Sequence, residues 1–230
     1  MASKTINGVP VEDIVNHLEI NEDLVERIAY RKVKAPELAI VEPDPEWPKY
    51  FQGLRSRIVA ALEQRGVDRP SPQAGGGDTT ADQVTVLAIN HVGSTSVPGL
   101  PAKAVIDIDL VLSSNTLAAE HFYVPRLEAA GFQYLLREPA WYGHRFFAGH
   151  KPISCNLHVW GPRCPEVERH RILRDWLREH EDDRELYART KREVAAVSRE
   201  KGEDMMKYNS RKEKVILGIL TRAYTALGYV

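Results

Sequence analysis

The sequence predicts an α+β or mixed α/β fold in which a short sheet is flanked by helices and closed by a C-terminal helical cap. Apolar residues recur at helical spacing within the first 35 residues and again over residues 165–230. Between these regions lie β-branched runs such as VTVLAINHV and AVIDIDLVL. This order of elements, with helices before and after a cluster of strands, is typical of this fold class.

Residues 1–35 are predicted to form a helical extension. VEDIVNHL places its apolar side chains at helical spacing, and Leu24, Val25 and Ile28 repeat the pattern. Asn21 is suited to cap the second helix. The polar segment KVKAPE then separates the extension from a main domain over residues 36–230.

The main domain is predicted to begin with a strand at residues 38–41 and a helix at about 48–65, anchored by Trp47. Residues 66–83 are rich in Gly, Pro, Ser and Thr, and we expect a flexible loop there. The remaining predicted elements are strands in VTVLAINHV, AVIDIDLVL, FQYLLR, HRFFAGH and ISCNLHVW, a helix over 116–130, and helices in EVERHRILRDWLREH, RELYARTKREVAAVSREKG and DMMKYNSRKEKVILGILTRAYTAL.

Composition narrows the classes of function. With 31 basic and 32 acidic residues the formal net charge is −1, so overall charge indicates no nucleic-acid or membrane partner. Cys155 and Cys164 have no zinc-ligand spacing and make no disulfide framework. The chain lacks both the apolar core of a signal peptide and a membrane-spanning run, so we expect a cytoplasmic protein with a small-molecule substrate. The oligomeric state is left open.

The strand around Asp107 and Asp109 carries the first chemical signal. Alternate side chains of a strand share a face, so these two carboxylates project together. Adjacent carboxylates repel each other and are costly to desolvate. Mg²⁺ relieves both problems, because it prefers oxygen ligands and keeps substrate phosphates as further ligands. Taken alone, D-x-D fits a solvent-facing strand end equally well.

The preceding turn, HVGSTSVPGLPAK, favours the metal interpretation. Gly93 and Ser94 follow a strand, where exposed backbone N–H groups bind phosphate oxygens. Thr95 and Ser96 add hydroxyl donors, and Lys103 adds a positive charge. A plain connection between strands is the alternative, yet this one is longer than a hairpin needs. Turn and carboxylates together predict a phosphate-plus-metal site.

HVGSTSVPGLPAKAVIDIDLVL closely resembles the hallmark of the GrpB family, also called UPF0157. Its G-S followed by D-x-D resembles the signature of polymerase-beta-like nucleotidyltransferases. Further segments that resemble the family are EPDPEWPKYF, HRFFAG, NLHVW, RILRDWLREH, YARTK and YNSRK, so the resemblance covers residues 38–225. The N-terminal helices and the 66–83 loop lie outside it, and Ala104 stands where the family usually has proline.

The resemblance implies a nucleotidyltransferase-like short twisted sheet with a triphosphate–metal site. Gly93 and Ser94 would bind the phosphates of a nucleoside triphosphate, with ATP expected, and Asp107 and Asp109 would hold Mg²⁺. The reaction would be nucleotidyl transfer with release of pyrophosphate to a hydroxyl, amine, phosphate or carboxylate. A carboxylate acceptor would lead to ATP-dependent amide formation.

A catalytically inactive nucleotide-binding module stays open as the alternative. In the superfamily a third carboxylate comes from a later strand, but the matching residues 153–160 offer only Asn156 and His158 on one face. Histidine binds metals or acts as a base, yet it suits Mg²⁺ less well than a carboxylate does. Without the resemblance, a core histidine would be the preferred interpretation of His158.

Two tyrosine–lysine pairs with i,i+4 spacing complete the candidates, because each pair shares a helix face: Tyr187 with Lys191, and Tyr208 with Lys212. If these helices close over the sheet, the lysines point to the triphosphate; if they face solvent, the spacing means nothing. The predicted catalytic residues are Asp107, Asp109 and His158, the phosphate contacts Gly93, Ser94, Thr95, Ser96, Lys103, Arg145 and Lys212, and the substrate contacts His144, Asn156, Tyr187, Lys191 and Tyr208. Because this set is cationic, we expect a small anionic acceptor.

Overall fold

A mixed sheet of six strands lies at the centre of the protein, in a computed structural model that describes residues 4–18, 21–63, 84–203 and 205–230. The strands are β3 (Glu26–Arg27), β4 (Val86–Val92), β5 (Ile106–Leu112), β6 (Gln133–Glu138), β7 (His144–Gly149) and β8 (Cys155–Trp160), after a small N-terminal hairpin of β1 (Thr5–Ile6) and β2 (Val9–Pro10). Their order in the sheet is β3-β6-β7-β8-β5-β4. Among the strand pairings of the described residues, only that of β5 with β8 is parallel. The five strands predicted within residues 84–160 are confirmed.

The two faces of the sheet are covered by different helices. These are α1 (Val11–Val15), α2 (Trp47–Glu63), α3 (Glu120–Ala129), α4 (Pro165–Glu179), α5 (Glu181–Glu200) and α6 (Met205–Ala226). The face covered by α2 and α3 holds the main apolar core, which includes Ile106, Ile108 and Leu110. Val111 and Trp160 point to the opposite face and pack with Val167 of α4. The predicted C-terminal helices are confirmed, and among the described residues none of the helices is long and apolar enough to cross a membrane.

The predicted second N-terminal helix is wrong. Glu22–Leu24 is a single 3-10 turn, and Glu26–Arg27 adds a short antiparallel strand to the edge of β6. The N–H groups of Ile28 and Ala29 also donate to the carbonyl of Leu135, at 2.9 and 3.1 Å. An isolated helix of two turns is marginal in water, whereas an open sheet edge offers partners for main-chain groups. The sheet edge therefore decides the conformation of this segment.

The remaining differences concern element ends and one strand. Residues 38–41 form no strand, only an isolated antiparallel bridge of Val41 with Ala102, because Pro43 and Pro45 follow at once and remove main-chain donors. The predicted helix over 116–130 begins at Glu120, after a turn. The predicted 66–83 loop and the last two residues of the 48–65 helix lie outside the described residues.

Candidate functional site

The turn after β4 and the first aspartate of β5 form one unit. Gly93 has a φ of +67°, and a Cβ built there would lie 2.4 Å from Oδ2 of Asp107. Glycine is required on both counts, since other residues rarely adopt this φ and none could avoid the carboxylate. The Asp107 carboxylate therefore lies directly against the backbone of the turn.

Hydrogen bonds within the protein already engage two of the predicted phosphate contacts. Thr95 and Ser96 are buried; the Thr95 hydroxyl lies 3.0 Å from Nε2 of His91, and that of Ser96 donates to the Gly93 carbonyl at 2.6 Å. Arg178 donates to the Ser96 carbonyl from Nε and Nη2, at 3.1 and 2.7 Å. The predicted phosphate contacts through these two hydroxyls are wrong, because their partners lie in the scaffold. Their role is to hold the shape of the turn.

Asp107 is half-buried and is fixed from the neighbouring parallel strand. Nδ2 of Asn156, its partner in the β5–β8 register, donates to Oδ1 of Asp107 at 2.8 Å. The amide oxygen of Asn156 in turn accepts a hydrogen bond from Nη2 of Arg31 at 3.4 Å. The Arg31 guanidinium lies 5.5 Å from the ring centroid of Phe146, and burial lowers its pKa. Sequence reasoning missed Arg31, which no motif marks.

Three lysines from three segments lie near enough to Asp107 for its charge to affect their pKa values, and we call Asp107, Lys103, Lys191 and Lys212 the lysine pocket. Burial lowers the pKa of each lysine, and the Asp107 charge opposes that shift in all three. Lys191 is 2% exposed, and its pKa is lowered to about 6, by burial first and then by the charge of Lys212. Among the described residues, neither Lys191 nor Lys212 forms an ion pair.

The tyrosines of α5 and α6 contact the lysines of the lysine pocket through their rings. Tyr187 and Tyr208 are both buried, so the two tyrosine–lysine pairs face the protein interior rather than solvent. Nζ of Lys212 lies 4.9 Å and Nζ of Lys103 5.7 Å from the ring centroid of Tyr208. Lys191 lies 4.6 Å from the Tyr187 ring and donates to the carbonyl of Pro101. Such cation–π contacts hold ammonium groups without neutralising them.

Asp109 differs completely from Asp107. It is fully buried: Oδ1 accepts a hydrogen bond from Nε1 of Trp160 at 2.9 Å, and Oδ2 lies 2.9 Å from Nδ1 of His170. Burial lowers the pKa of His170, but the charge of Asp109 and its hydrogen bond, together with the charges of Glu166 and Asp107, outweigh burial and raise that pKa to about 9. The His170 charge in turn lowers the pKa of Asp109 against the effect of burial. The fully buried Asp109 and the half-buried His170 form an ion pair.

The predicted two-aspartate metal site is therefore wrong for this conformation. Both Asp109 oxygens are bound by side chains of the protein, so only Asp107 presents a carboxylate. Within the described ranges, no three His, Cys, Asp or Glu side chains are grouped so as to hold a metal ion. A Mg²⁺ ion that arrives with substrate phosphates needs only one or two protein carboxylates. Asp107 meets that lesser requirement.

His158 and His144 belong to a buried chain of hydrogen bonds. Oε2 of Glu138 lies 2.5 Å from Nδ1 of His144, and Nε2 of His144 lies 2.9 Å from Nδ1 of His158. Burial lowers the pKa of His144 to about 3 and that of His158 to about 4. His144 is 2% exposed, so the predicted substrate contact for His144 is wrong. His158 lies beside Asp109 in the β5–β8 register and is half-buried.

Arg145 lies on the other face of the sheet. Its Nε donates to Oε1 of Glu120 at 2.8 Å, and Glu120 also accepts two hydrogen bonds from Arg137, at 2.6 and 2.7 Å. The predicted phosphate contact of Arg145 is wrong, because alternation along β7 sends Arg145 away from the face that His144 and Phe146 share. The expectation of a small anionic acceptor, which rests on a cationic set that includes Arg145, loses this support.

Comparisons with known proteins agree on one relationship. The family model described as GrpB protein matches residues 37–222. UPF0157 protein BH1888 of Halalkalibacterium halodurans is 33% identical over 216 residues, which cover 93% of this chain and 97% of that protein. UPF0157 protein SCO7215 of Streptomyces coelicolor is 33% identical over 193 residues, covering 84% and 88%. The crystal structure of the conserved protein GrpB from Enterococcus faecalis superposes with a TM-score of 0.62 at 21% identity, over 82% of this chain and 99% of that one.

Proposed function

The chain belongs to the GrpB family, and we propose that it binds a nucleoside triphosphate in the lysine pocket and transfers the nucleotidyl group to a small acceptor. One observation carries the proposal. Lys191, which is buried, and Lys212, which is half-buried, lie near Asp107 without an ion pair among the described residues, and burial lowers the pKa of both lysines because a cation without a partner is costly to bury. Such an arrangement is expected where a polyanionic ligand supplies the missing charge.

The turn before β5 supports a triphosphate over a smaller anion. The N–H groups of a glycine–serine turn suit phosphate oxygens, the Asp107 carboxylate lies against Gly93 of this turn, and the Asp107 charge acts on Lys103. Gly93 and Ser94 followed by a D-x-D strand also resemble the nucleotidyltransferase signature. We extend the family assignment to that superfamily as part of this proposal.

Asp107 would hold the metal ion. When bound with the phosphates, Mg²⁺ would supply positive charge at their oxygens. The residues of this chain do the rest: Gly93 and Ser94 orient the phosphates, while Lys103 and Lys212 neutralise the charge that develops on the departing pyrophosphate. The acceptor attacks the α-phosphorus in line with the bond that breaks.

A second candidate is a nucleotide-binding module without transfer. The observation that favours it is the Asp109–His170 ion pair, because it withholds the carboxylate that a two-metal reaction uses. Both candidates share the binding step and differ in the products. Transfer forms pyrophosphate, the module forms no product, and ADP as the sole product would indicate a kinase or ATPase and defeat both.

Calorimetry with ATP, CTP, GTP and UTP, each with and without Mg²⁺, tests the binding step. We expect Lys212→Met to weaken binding by about 10- to 100-fold, since a lost hydrogen bond to a charged group costs about 1.5–3 kcal/mol. Lys214→Met is the matched control, because Lys214 is exposed on the same helix. Folded wild type that binds none of the four nucleotides, or two lysine variants that bind equally, would defeat the proposal.

A further inference from the structure

The buried chain Glu138–His144–His158 has a direction that its hydrogen bonds define. Each neutral imidazole donates from one ring nitrogen and accepts at the other. If the Glu138 carboxylate accepts from Nδ1–H of His144, then Nε2 of His144 has a lone pair and must accept. Among the described residues, the only donor that reaches it is Nδ1–H of His158, at 2.9 Å. In this arrangement the proton of His158 is on Nδ1.

The other nitrogen of His158 is left available. Nε2 has no hydrogen-bond partner among the described residues and is not fully buried, since His158 is half-buried, so solvent reaches it. His158 shares its sheet face with Asn156, which binds Asp107, and with Trp160, which binds Asp109. Its basic nitrogen therefore lies on the face that carries the lysine pocket.

We propose that His158 is the general base of the reaction and that Glu138 and His144 are positioning residues that hold it in the Nδ1–H tautomer. This inference rests on the proposed function, and it deepens that function by naming the acceptor class. An acceptor that needs a base loses a proton as it attacks, so it is a hydroxyl or an amine. A carboxylate acceptor needs none.

The step balances with a nucleoside triphosphate and such an acceptor. The acceptor oxygen or nitrogen forms a bond to the α-phosphorus, and its proton passes to Nε2 of His158. The bond from the α-phosphorus to the bridging oxygen breaks, and pyrophosphate leaves with that electron pair. Neither Glu138 nor His144 touches the acceptor; they fix which nitrogen of His158 receives the proton.

Nitrogen NMR of the ¹⁵N-histidine-labelled protein tests the assignment without any ligand, because the two tautomers give different nitrogen shifts. At pH 7.5 we expect both His144 and His158 to be Nδ1–H tautomers. In Glu138→Ala, His144 loses its acceptor, and we expect His158 to lose its exclusive Nδ1–H state. Glu128→Ala removes an exposed carboxylate on α3 and should leave both histidines unchanged. An Nε2–H tautomer at His158 in the wild type overturns the proposal, even if Glu138→Ala fails to fold.

Formation of AMP from MgATP, with water as the acceptor, gives the second readout. We expect His158→Gln to lower the rate by about 10²- to 10⁴-fold, as for a lost general base, and Glu138→Ala by about 10- to 100-fold, with nucleotide affinity unchanged in both. Equal rates in wild type and His158→Gln overturn the base role. Absence of AMP formation in the wild type defeats both nucleotidyl transfer and the base role. Failure of nucleotide binding defeats the proposed function, whichever tautomers the NMR experiment shows.

Discussion

The two faces of the sheet differ in whether their buried charged side chains have partners of opposite charge. On the face covered by α2 and α3, Glu120 binds Arg145 and Arg137 together beneath an apolar core. On the other face, Lys191 and Lys212 lie near Asp107 and make no ion pair within the described ranges. A charge whose partner comes from the fold serves stability, whereas one kept without a partner is stabilised only when a ligand arrives.

The same contrast recurs within one strand. Asp107 and Asp109 lie two residues apart on the same face of β5, but His170 and Trp160 bind Asp109 while Asp107 faces the lysine pocket. We therefore expect substitutions of Asp109 to affect stability first and those of Asp107 to affect ligand binding first. A double variant of both aspartates would mix the two effects.

The largest expected effect is on stability, at Glu120. Glu120→Ala leaves the buried Arg145 without its carboxylate, and removing one partner of a buried ion pair typically costs about 3–5 kcal/mol. Nucleotide affinity should be unchanged, because Glu120 lies on the face away from the lysine pocket. Urea unfolding and calorimetry measure the two quantities. A loss of affinity without a loss of stability would mean that the faces are not independent.

Asp109→Asn should be the next most destabilising change, by about 2–4 kcal/mol, because it leaves His170 with only Glu166, 3.5 Å from its Nε2, as a counter-charge. The pH dependence provides a sharper test. The pKa of His170 is raised from 6.5 to about 9, so its protonation contributes stability that is fully present below pH 6.5 and is lost as pH rises through 9.

The unfolding free energy should therefore fall more steeply between pH 6.5 and 9 in wild type than in His170→Gln. The comparison with His170→Gln is needed because Lys191, whose pKa is lowered from 10.5 to about 6, gives the opposite slope over this range. Parallel curves for the two proteins would show that Asp109 and His170 form no ion pair.

Lys191→Met should stabilise the fold and weaken the binding of MgATP. Replacing a buried lysine that has no ion pair in the described structure with an apolar residue of similar length removes a desolvation penalty that exceeds the loss of its hydrogen bond to the Pro101 carbonyl, so we expect a net gain of about 1–2 kcal/mol. Affinity for MgATP should fall by at least 10-fold, since methionine has no ammonium group to bind the phosphates. Urea unfolding and calorimetry on the same preparation measure both; a destabilised variant with normal affinity would assign Lys191 to the fold.

Residue spacing predicted much of the site because it depends only on local geometry. Strand alternation placed Asp107 and Asp109 on one face, and i,i+4 spacing placed each tyrosine with its lysine. The depth of Asp109 could not be predicted in this way, since it depends on His170 from α4 and Trp160 from β8. The face on which Arg145 lies could not be predicted either, because strand alternation separates side chains onto two faces without indicating which face carries the site. Arg31 enters through a segment whose conformation the edge of β6 determines.

The central claim is that the lysine pocket binds the triphosphate, and proton uptake tests it most directly. With a pKa of about 6, Lys191 is largely neutral at pH 7.5. A bound polyanion raises the pKa of a neighbouring ammonium group, so binding of MgATP should take up close to one proton. Calorimetry in two buffers of different ionisation enthalpy measures that number. We expect uptake in wild type and in the Lys214→Met control, and none in Lys191→Met. Binding to wild type without proton uptake would contradict the claim.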